Sequence, residues 1–390
     1  MTFESWTAIV KIRCCGLVLL TLTSSCARAP GTGSPGAGQP SSAAVRGARL
    51  ADSLLERMTL AEKLGQLTMA PAQWGQTGPQ AAGGGEDLVR EGRIGSFLGF
   101  WGAAATRRMQ RIAVEDSQLH IPLLFAYDVI HGWRTIFPVP LAEAASFDTA
   151  AVEGAGAAPT LPLRKDLRSI AMIGPLADDA RSALGSWAAA GKPEDAITLL
   201  EGIRQAVPGT RVLHTRGTPV DTVDTRGFGE AERMAREADA VLLVLGERED
   251  MSAEAASRAS VELPGSQDAL ARAVTRAARA SDPAKPVVVV LMNGRPLAIP
   301  WIADSVPATV ETWFLGVEHG HAVADVLFGD HNPAGRLPVS MPRVTGQVPI
   351  YYGRKPTGRP PVATEKYTSK YLDVPWTPQW PFGHGLSYTT

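Results

Sequence analysis

The chain has 390 residues, 45% of them apolar and 20% charged, the balance of a globular protein long enough for two domains. Its 38 basic and 39 acidic residues leave a net charge of −1, so bulk electrostatics give no support for nucleic acid or an anionic membrane surface as a partner. All 3 cysteines, Cys14, Cys15 and Cys26, stand near the N-terminus, which denies the rest of the chain a disulfide or a cysteine-based metal site.

In chain order, Lys11 and Arg13 precede an apolar run from Cys14 to Leu22, followed by Thr23-Ser24-Ser25-Cys26. A basic flank, a short apolar stretch and small residues read as an export signal over 1–26. The run is about half of the ~20 residues a spanning helix needs, so a transmembrane anchor is not expected. Small residues before Cys26 resemble a bacterial lipoprotein signal, with Cys26 the lipidated residue; the alternative is a signal cut elsewhere, with Cys26 incidental. Residues 27–49 are rich in Gly, Pro, Ser and Ala and are expected to be a tether, because they carry too little apolar surface to offset their ordering entropy.

Order is expected from about Leu50. Leu54, Leu55 and Met58 have helical spacing, and Thr59 with Glu62 three residues on predicts a capping box for a second helix. A strand is predicted through Gly95–Phe100, a helix over 106–118, and a buried parallel strand in Pro122–Asp128. This β/α alternation favours a layered or barrel α/β fold. It lapses in Ala150–Pro159, which is small and featureless. From Arg168 a second alternation predicts strands at Ser169–Gly174, Arg211–Thr215, Ala240–Gly246, Pro286–Asn293 and Ala308–Phe314. Helices are predicted at 196–206, 229–238, 266–280 and 319–327. Together these make an open, mostly parallel sheet covered on both faces. The last forty or so residues read as an irregular, packed tail.

Ligands of such sheets bind at the carboxyl ends of the strands. That rule selects the acidic loop Glu247–Arg258, the Gly294-Arg295-Pro296 turn, and Tyr127-Asp128 with His131-Gly132-Trp133. A carboxylate beside an indole suits a sugar, whose hydroxyls it grips while the indole packs on the ring. Asp128 can equally be a loop cap, and the 247–258 loop a solvated charged loop. No phosphate-binding glycine loop occurs, which weakens a nucleotide-binding or phosphoacceptor α/β domain as a rival reading. The scattered histidines, with His319 and His321 two apart, imply no metal site.

The stretches MTLAEKLGQL, IPLLFAYDVIHG, IAMIGPLAD, GSWAAAG, EDMSAEAASR followed by LPGSQ, VVVLMNGRPL, ETWFLGVEHG, ADVLFGDHNPAGRLPVSMPR and WPFGHGLSYT resemble glycoside hydrolase family 3, most of all its periplasmic beta-glucosidases. The matches run in family order across nearly all of residues 50–390. The resemblance implies a (β/α)8-type barrel followed by an α/β sandwich, and hydrolysis of β-linked glucosides without a cofactor. It implies a retaining mechanism: an aspartate from the barrel attacks the sugar, and a glutamate from the sandwich serves as acid and then base, the two carboxyls about 5–5.5 Å apart. Glu254 matches the acid/base glutamate, and Asp128 a residue that binds hydroxyls of the non-reducing sugar.

The departures from the family weigh more. Its nucleophile lies in a Ser-Asp-His or Ser-Asp-Trp context, whereas Ser281-Asp282 here precedes Pro283 and lies in the second domain. The family's Lys-His pair and sugar-binding arginine have no counterpart. Residues 50–150 fall well short of the ~250 a barrel takes. The expectation is therefore a truncated barrel fragment at 50–150, loose or partly docked, before a stable mostly parallel α/β sandwich at 160–390. No nucleophile is identified, so activity is expected to be weak or absent, leaving a carbohydrate-binding remnant as the alternative. The resemblance also implies a bacterial chain exported to the periplasm or lipid-anchored at the envelope.

Overall fold

The computed structural model describes residues 42–71, 85–145, 151–153, 160–355 and 358–388; the predicted export signal and most of the predicted tether lie outside them. The chain divides into two compact units, Met1–Lys63 and Leu64–Thr390. In the first, a helix spans Ser42–Arg57, beginning well before the order expected from about Leu50 and inside the predicted tether. Alanine and arginine, both strong helix formers, outweigh the single Gly47 there. The capping box forms as expected: Glu62 accepts from the Thr59 N–H at 2.8 Å, and the Thr59 hydroxyl accepts from the Glu62 N–H at 3.2 Å. Among the described residues, no helix is long and apolar enough to cross a membrane.

The second unit holds two sheets. In the smaller, β1 (Met69–Pro71), β2 (Ser96–Leu98) and β3 (Leu124–Ala126) are all parallel, with β2 central. Phe97 of β2 and Ala70 of β1 pack with Val89, Ile94, Met109, Ile112, Ala113 and Leu123 in one small core. The opposite face is less covered, with Met69 and Leu124 exposed. Leu124 is 74% exposed, so β3 is a shorter and barer strand than the buried one expected over Pro122–Asp128. The expected 106–118 helix is an α-helix at Ala103–Arg111 ending in a wider turn at Ile112–Asp116.

The larger sheet has six strands in the order β4-β9-β8-β7-β5-β6. They are β4 (Ala151–Glu153), β5 (Ser169–Ile173), β6 (Arg211–Thr215), β7 (Ala240–Gly246), β8 (Val287–Met292) and β9 (Ala308–Glu311). The five predicted strands are all present and parallel to one another. The sixth, β4, lies in the stretch expected to be featureless and pairs antiparallel with the edge of β9. Backbone pairing needs no large side chain, so composition gave no sign of it.

Residues alternate between two cores, as the strand period requires. Ile170, Met172, Leu242, Val244, Val288 and Val290 face the helices Leu199–Ala206 and His319–Leu327. Ala171, Ile173, Val241, Leu243, Val287 and Val289 face Phe228–Glu237 and Gln267–Ser281. Burial on both faces is what makes these strands read as unbroken apolar runs.

The stretch that follows β3 is not loose. Ile136, Val139, Ala142 and Ala145 join the core beneath the larger sheet. The Ile136 carbonyl accepts from the Val317 N–H at 3.0 Å, and the Val139 N–H donates to the Phe314 carbonyl at 3.0 Å. Residues 136–145 are thus structurally part of the sandwich, although the sequence grouped them with the barrel fragment.

Candidate functional site

The parallel strands run β6-β5-β7-β8-β9, so the winding reverses between β5 and β7, and sheets of this kind bind ligands at the carboxyl ends beside such a reversal. Glu247 follows β7 directly and is fully buried, as is Asn293 after β8, and Glu311 at the end of β9 is only 3% exposed. Arg258 donates to Glu247 at 2.6 Å and Arg295 at 3.1 Å. Arg295 reaches on to the carbonyls of Met251 and Ala256, and Arg258 to that of Glu262 at 3.1 Å. One buried carboxylate and two guanidiniums therefore bind both limbs of the 247–262 loop.

At the tip of this loop stands Glu254, exposed, between Ala253 at φ 81° and Ala255 at φ 58°. Left-handed backbone at alanine costs on the order of 1–3 kcal/mol per residue and persists only where the surroundings hold it. The other non-glycine residues with positive φ among those described are Trp187, Ala189, Trp313 and His120, and all but His120 lie at this same edge of the sheet. Strain is concentrated at the carboxyl edge of the sheet. Among the loop's carboxylates, Glu247, Glu249 and Asp250 are paired with arginines, whereas Glu254 at the tip and Glu262 at the far end have no ion-pair partner among the described residues.

Deeper in, the Glu311 carboxylate accepts from the Trp313 N–H at 3.1 Å and from Asn293 Nδ2 at 3.3 Å. Burial pushes its pKa up to about 8, against these two hydrogen bonds and with a smaller contribution from the Glu247 charge. Asn293 Oδ1, Ser252 Oγ and Trp313 Nε1 are buried at the same edge with no hydrogen-bond partner among the described residues.

Asp128 is exposed just beyond β3, beside Tyr127. The Tyr127 ring meets Trp133 edge to face at 4.7 Å, and Trp133 meets Trp101 at 5.5 Å in the same way. His131, buried, sets one ring nitrogen 2.8 Å from the Phe137 carbonyl and the other 2.6 Å from that of Ser186. The Ser186 hydroxyl in turn donates to the carbonyls of Glu249 at 2.5 Å and Ser252 at 3.4 Å. The Trp133 carbonyl accepts from the Ala190 N–H at 2.8 Å. The 185–191 loop thus fastens the Asp128 segment on one side and the Glu254 loop on the other. Among the described residues no three His, Cys, Asp or Glu side chains converge to hold a metal ion.

The sequence picked out the 247–258 loop and Arg295 but not Glu247 as their buried hub. It also missed Glu311, although a lone charge closing the apolar run Ala308-Thr309-Val310 was a usable signal, and Trp101, which lies far from Asp128 in sequence.

Fold and site together define an α/β sandwich whose strained, acidic loop lies at the switch point of its parallel strands. The chain belongs to glycosyl hydrolase family 3, whose C-terminal domain matches residues 157–388. A periplasmic beta-glucosidase of Salmonella typhimurium is 44% identical over 254 residues, 59% of this chain and 32% of that protein. A beta-xylosidase of Formosa agariphila is 38% identical over 57% of this chain and 30% of its own length. The chain thus spans about a third of the curated relatives it matches. A beta-glucosidase from Listeria innocua in complex with isofagomine superposes with a TM-score of 0.74 over 87% of this chain and 83% of that one. At 20% identity this is a likeness of fold. The Listeria enzyme in complex with glucose shares 37% identity over 62% of this chain and 32% of that one, with a TM-score of 0.55.

Proposed function

We propose that this chain is of the beta-glucosidase type, a module for terminal β-D-glucosyl residues with Glu254 as acid/base and Asp128 as a ligand for sugar hydroxyls. The observation that carries the reading is Glu254, without an ion-pair partner among the described residues, at the tip of a strained loop riveted by Glu247, Arg258 and Arg295. The likeness to the periplasmic beta-glucosidase supports it. Two-step displacement needs a second carboxylate to trap the developing cation. The neighbouring Glu247, Glu249 and Asp250 are all committed to arginines. Turnover of an aryl β-glucoside should accordingly lie near background. Cleavage by the purified chain that Glu254→Gln abolishes would refute the missing-nucleophile reading, because some other carboxylate must then complete the pair.

The second reading is a carbohydrate-binding module without catalysis, favoured by the retention of Asp128 and its aromatic neighbours where the nucleophile motif is absent. We further read 1–26 as an export signal, 27–49 as a linker whose last residues, 42–49, are helical, 50–150 as a barrel fragment whose 136–145 end packs into the sandwich core, and 160–390 as the sandwich. This places the chain in the periplasm or, through Cys26, on an envelope membrane. Loss of metabolic palmitate labelling in Cys26→Ser would support the lipid anchor, and an unlabelled wild type would exclude it.

A further inference from the structure

We infer that the exposed tail formed by residues 351–355 and 358–373 docks on an anionic lipid bilayer, its cations meeting the headgroups and its bare rings and leucine the interface below them. The net charge of −1 hides a local imbalance there: Arg354, Lys355, Arg359, Lys366 and Lys370 stand against only Glu365 and Asp373. All of these cations but Lys370 are exposed, and none has an ion-pair partner among the described residues. Elsewhere on the sandwich, exposed arginines such as Arg168, Arg226 and Arg233 are matched by carboxylates. The tail has no helix or strand, yet it is fastened. The Tyr371 hydroxyl donates to the Gly346 carbonyl at 3.2 Å, and Gln347 Nε2 to the Pro375 carbonyl at 2.7 Å. Residues 359–370 form a loop with joined limbs: the Ser369 N–H donates to the Arg359 carbonyl at 3.0 Å, and Lys370 Nζ to those of Val362 and Ala363 at 3.0 and 2.7 Å. On this loop Lys366 Nζ lies 5.5 Å from the centre of the Tyr367 ring, which is 74% exposed. Leu372, at the base of the loop, is fully exposed. A second pair of exposed rings, Tyr352 and Phe382, meets at 5.2 Å beside the start of the basic run.

Chemistry selects the occupant. Unmatched ammonium and guanidinium groups are complementary to a dense array of negative charge. A nucleic acid or an acidic polysaccharide supplies that charge but offers nothing to a bare leucine. At a bilayer interface each residue type gains: tyrosine sets its ring at headgroup level with its hydroxyl in water, Lys and Arg reach phosphates on long stems, and leucine enters the acyl boundary. A chain exported as residues 1–26 are read meets such a surface. The inference goes beyond the sugar reading and does not depend on it, because Asp128 and Glu254 lie outside the tail.

The test is co-sedimentation of the full chain with vesicles, using Cys26→Ser throughout so that no acyl chain is attached. One set of vesicles holds equal parts of phosphatidylglycerol and phosphatidylcholine, the other phosphatidylcholine alone. The anionic set should bind the chain more tightly, and added salt should weaken that binding. Lys355→Gln with Lys366→Gln should lower partitioning onto the anionic vesicles about 25-fold, roughly fivefold per charge, whereas Lys355→Arg with Lys366→Arg should preserve it. Leu372→Ser should weaken binding several-fold. These variants break no hydrogen bond among the described residues, and thermal melts report any change of fold. Residues 1–26 are present in every chain compared, so their own affinity for vesicles cancels. Equal binding to both sets, anionic binding that survives the double Gln change, or no vesicle binding overturns the inference. Capture by polygalacturonate without vesicle binding overturns it in favour of an acidic polysaccharide. None of these failures touches the Asp128 and Glu254 readings.

Discussion

Glu311 gives the sharpest test of the energetics at the carboxyl edge. Burial raises its pKa from 4.5 to about 8, despite hydrogen bonds from the Trp313 N–H and Asn293. Between those two values the folded chain holds a proton that the unfolded chain releases. Glu311 therefore contributes stability that is complete below about 4.5, falls as pH rises, and is lost above about 8. At about 1.4 kcal/mol per pH unit, the span from 4.5 to about 8 amounts to roughly 5 kcal/mol.

Glu311→Gln keeps an uncharged acceptor for the Trp313 N–H and removes the titration. Urea unfolding of both proteins at pH 5, 7 and 9 isolates the effect, since distant groups titrate alike in each and cancel in the difference. From pH 5 to 9 the wild type should lose on the order of 4–5 kcal/mol more than the variant. Parallel pH profiles would show that Glu311 is charged in the fold and that its desolvation is compensated.

His319 should act with the opposite sign. It is fully buried, neither ring nitrogen has a hydrogen-bond partner among the described residues, and burial lowers its pKa from 6.5 to about 4. The folded chain lacks a proton that the unfolded chain binds, so stability falls as pH drops from 6.5 towards 4, by roughly 3 kcal/mol in all; thermal melts of His319→Leu at pH 4.5 and 7 should differ by less than those of the wild type. Gly246→Ala would put a Cβ 1.9 Å from the Met292 carbonyl at φ +139°. It should cost about 3 kcal/mol or more in denaturant unfolding, or leave the chain insoluble. Arg295→Leu strips Glu247 of one of its two cations and frees the Met251 and Ala256 carbonyls. It should cost on the order of 3–5 kcal/mol, with amide exchange quickening first in residues 251–257.

What the sequence disclosed follows the physics of each element. Strands β5 and β7 to β9 are buried on both faces, so their apolar runs could not be mistaken, and the Thr59–Glu62 box declared a helix start through local chemistry alone. β4 was invisible because Ala151–Glu153 is bound by backbone pairing to β9, which leaves no periodicity to read. Asp128 and Glu254 stood out because motif and strand-end position agreed. Glu247, Glu311 and Trp101 did not, because their importance lies in contacts across the chain: Glu247 with Arg258 and Arg295, Glu311 with Asn293, Trp101 with Trp133. Nor could composition reveal that Ile136, Val139, Ala142 and Ala145 belong to the sandwich core, since apolar residues beyond a strand fit either neighbour equally well.

Glu311 and His319 stand at either end of one passage, from the close of β9 through Trp313 to the helix His319–Leu327, and their pH dependences overlap. Between 4.5 and 6.5 one group loses stability with rising pH at the rate at which the other gains it. Their sum is level there, falls below this window through His319 alone, and falls above it through Glu311 alone. Removing either group should expose the slope of the other, and removing both should abolish both slopes between about 4 and about 8. The sandwich therefore carries two buried ionisable groups beyond β9 whose opposed titrations bracket mildly acidic solution, and between them they contribute most stability there.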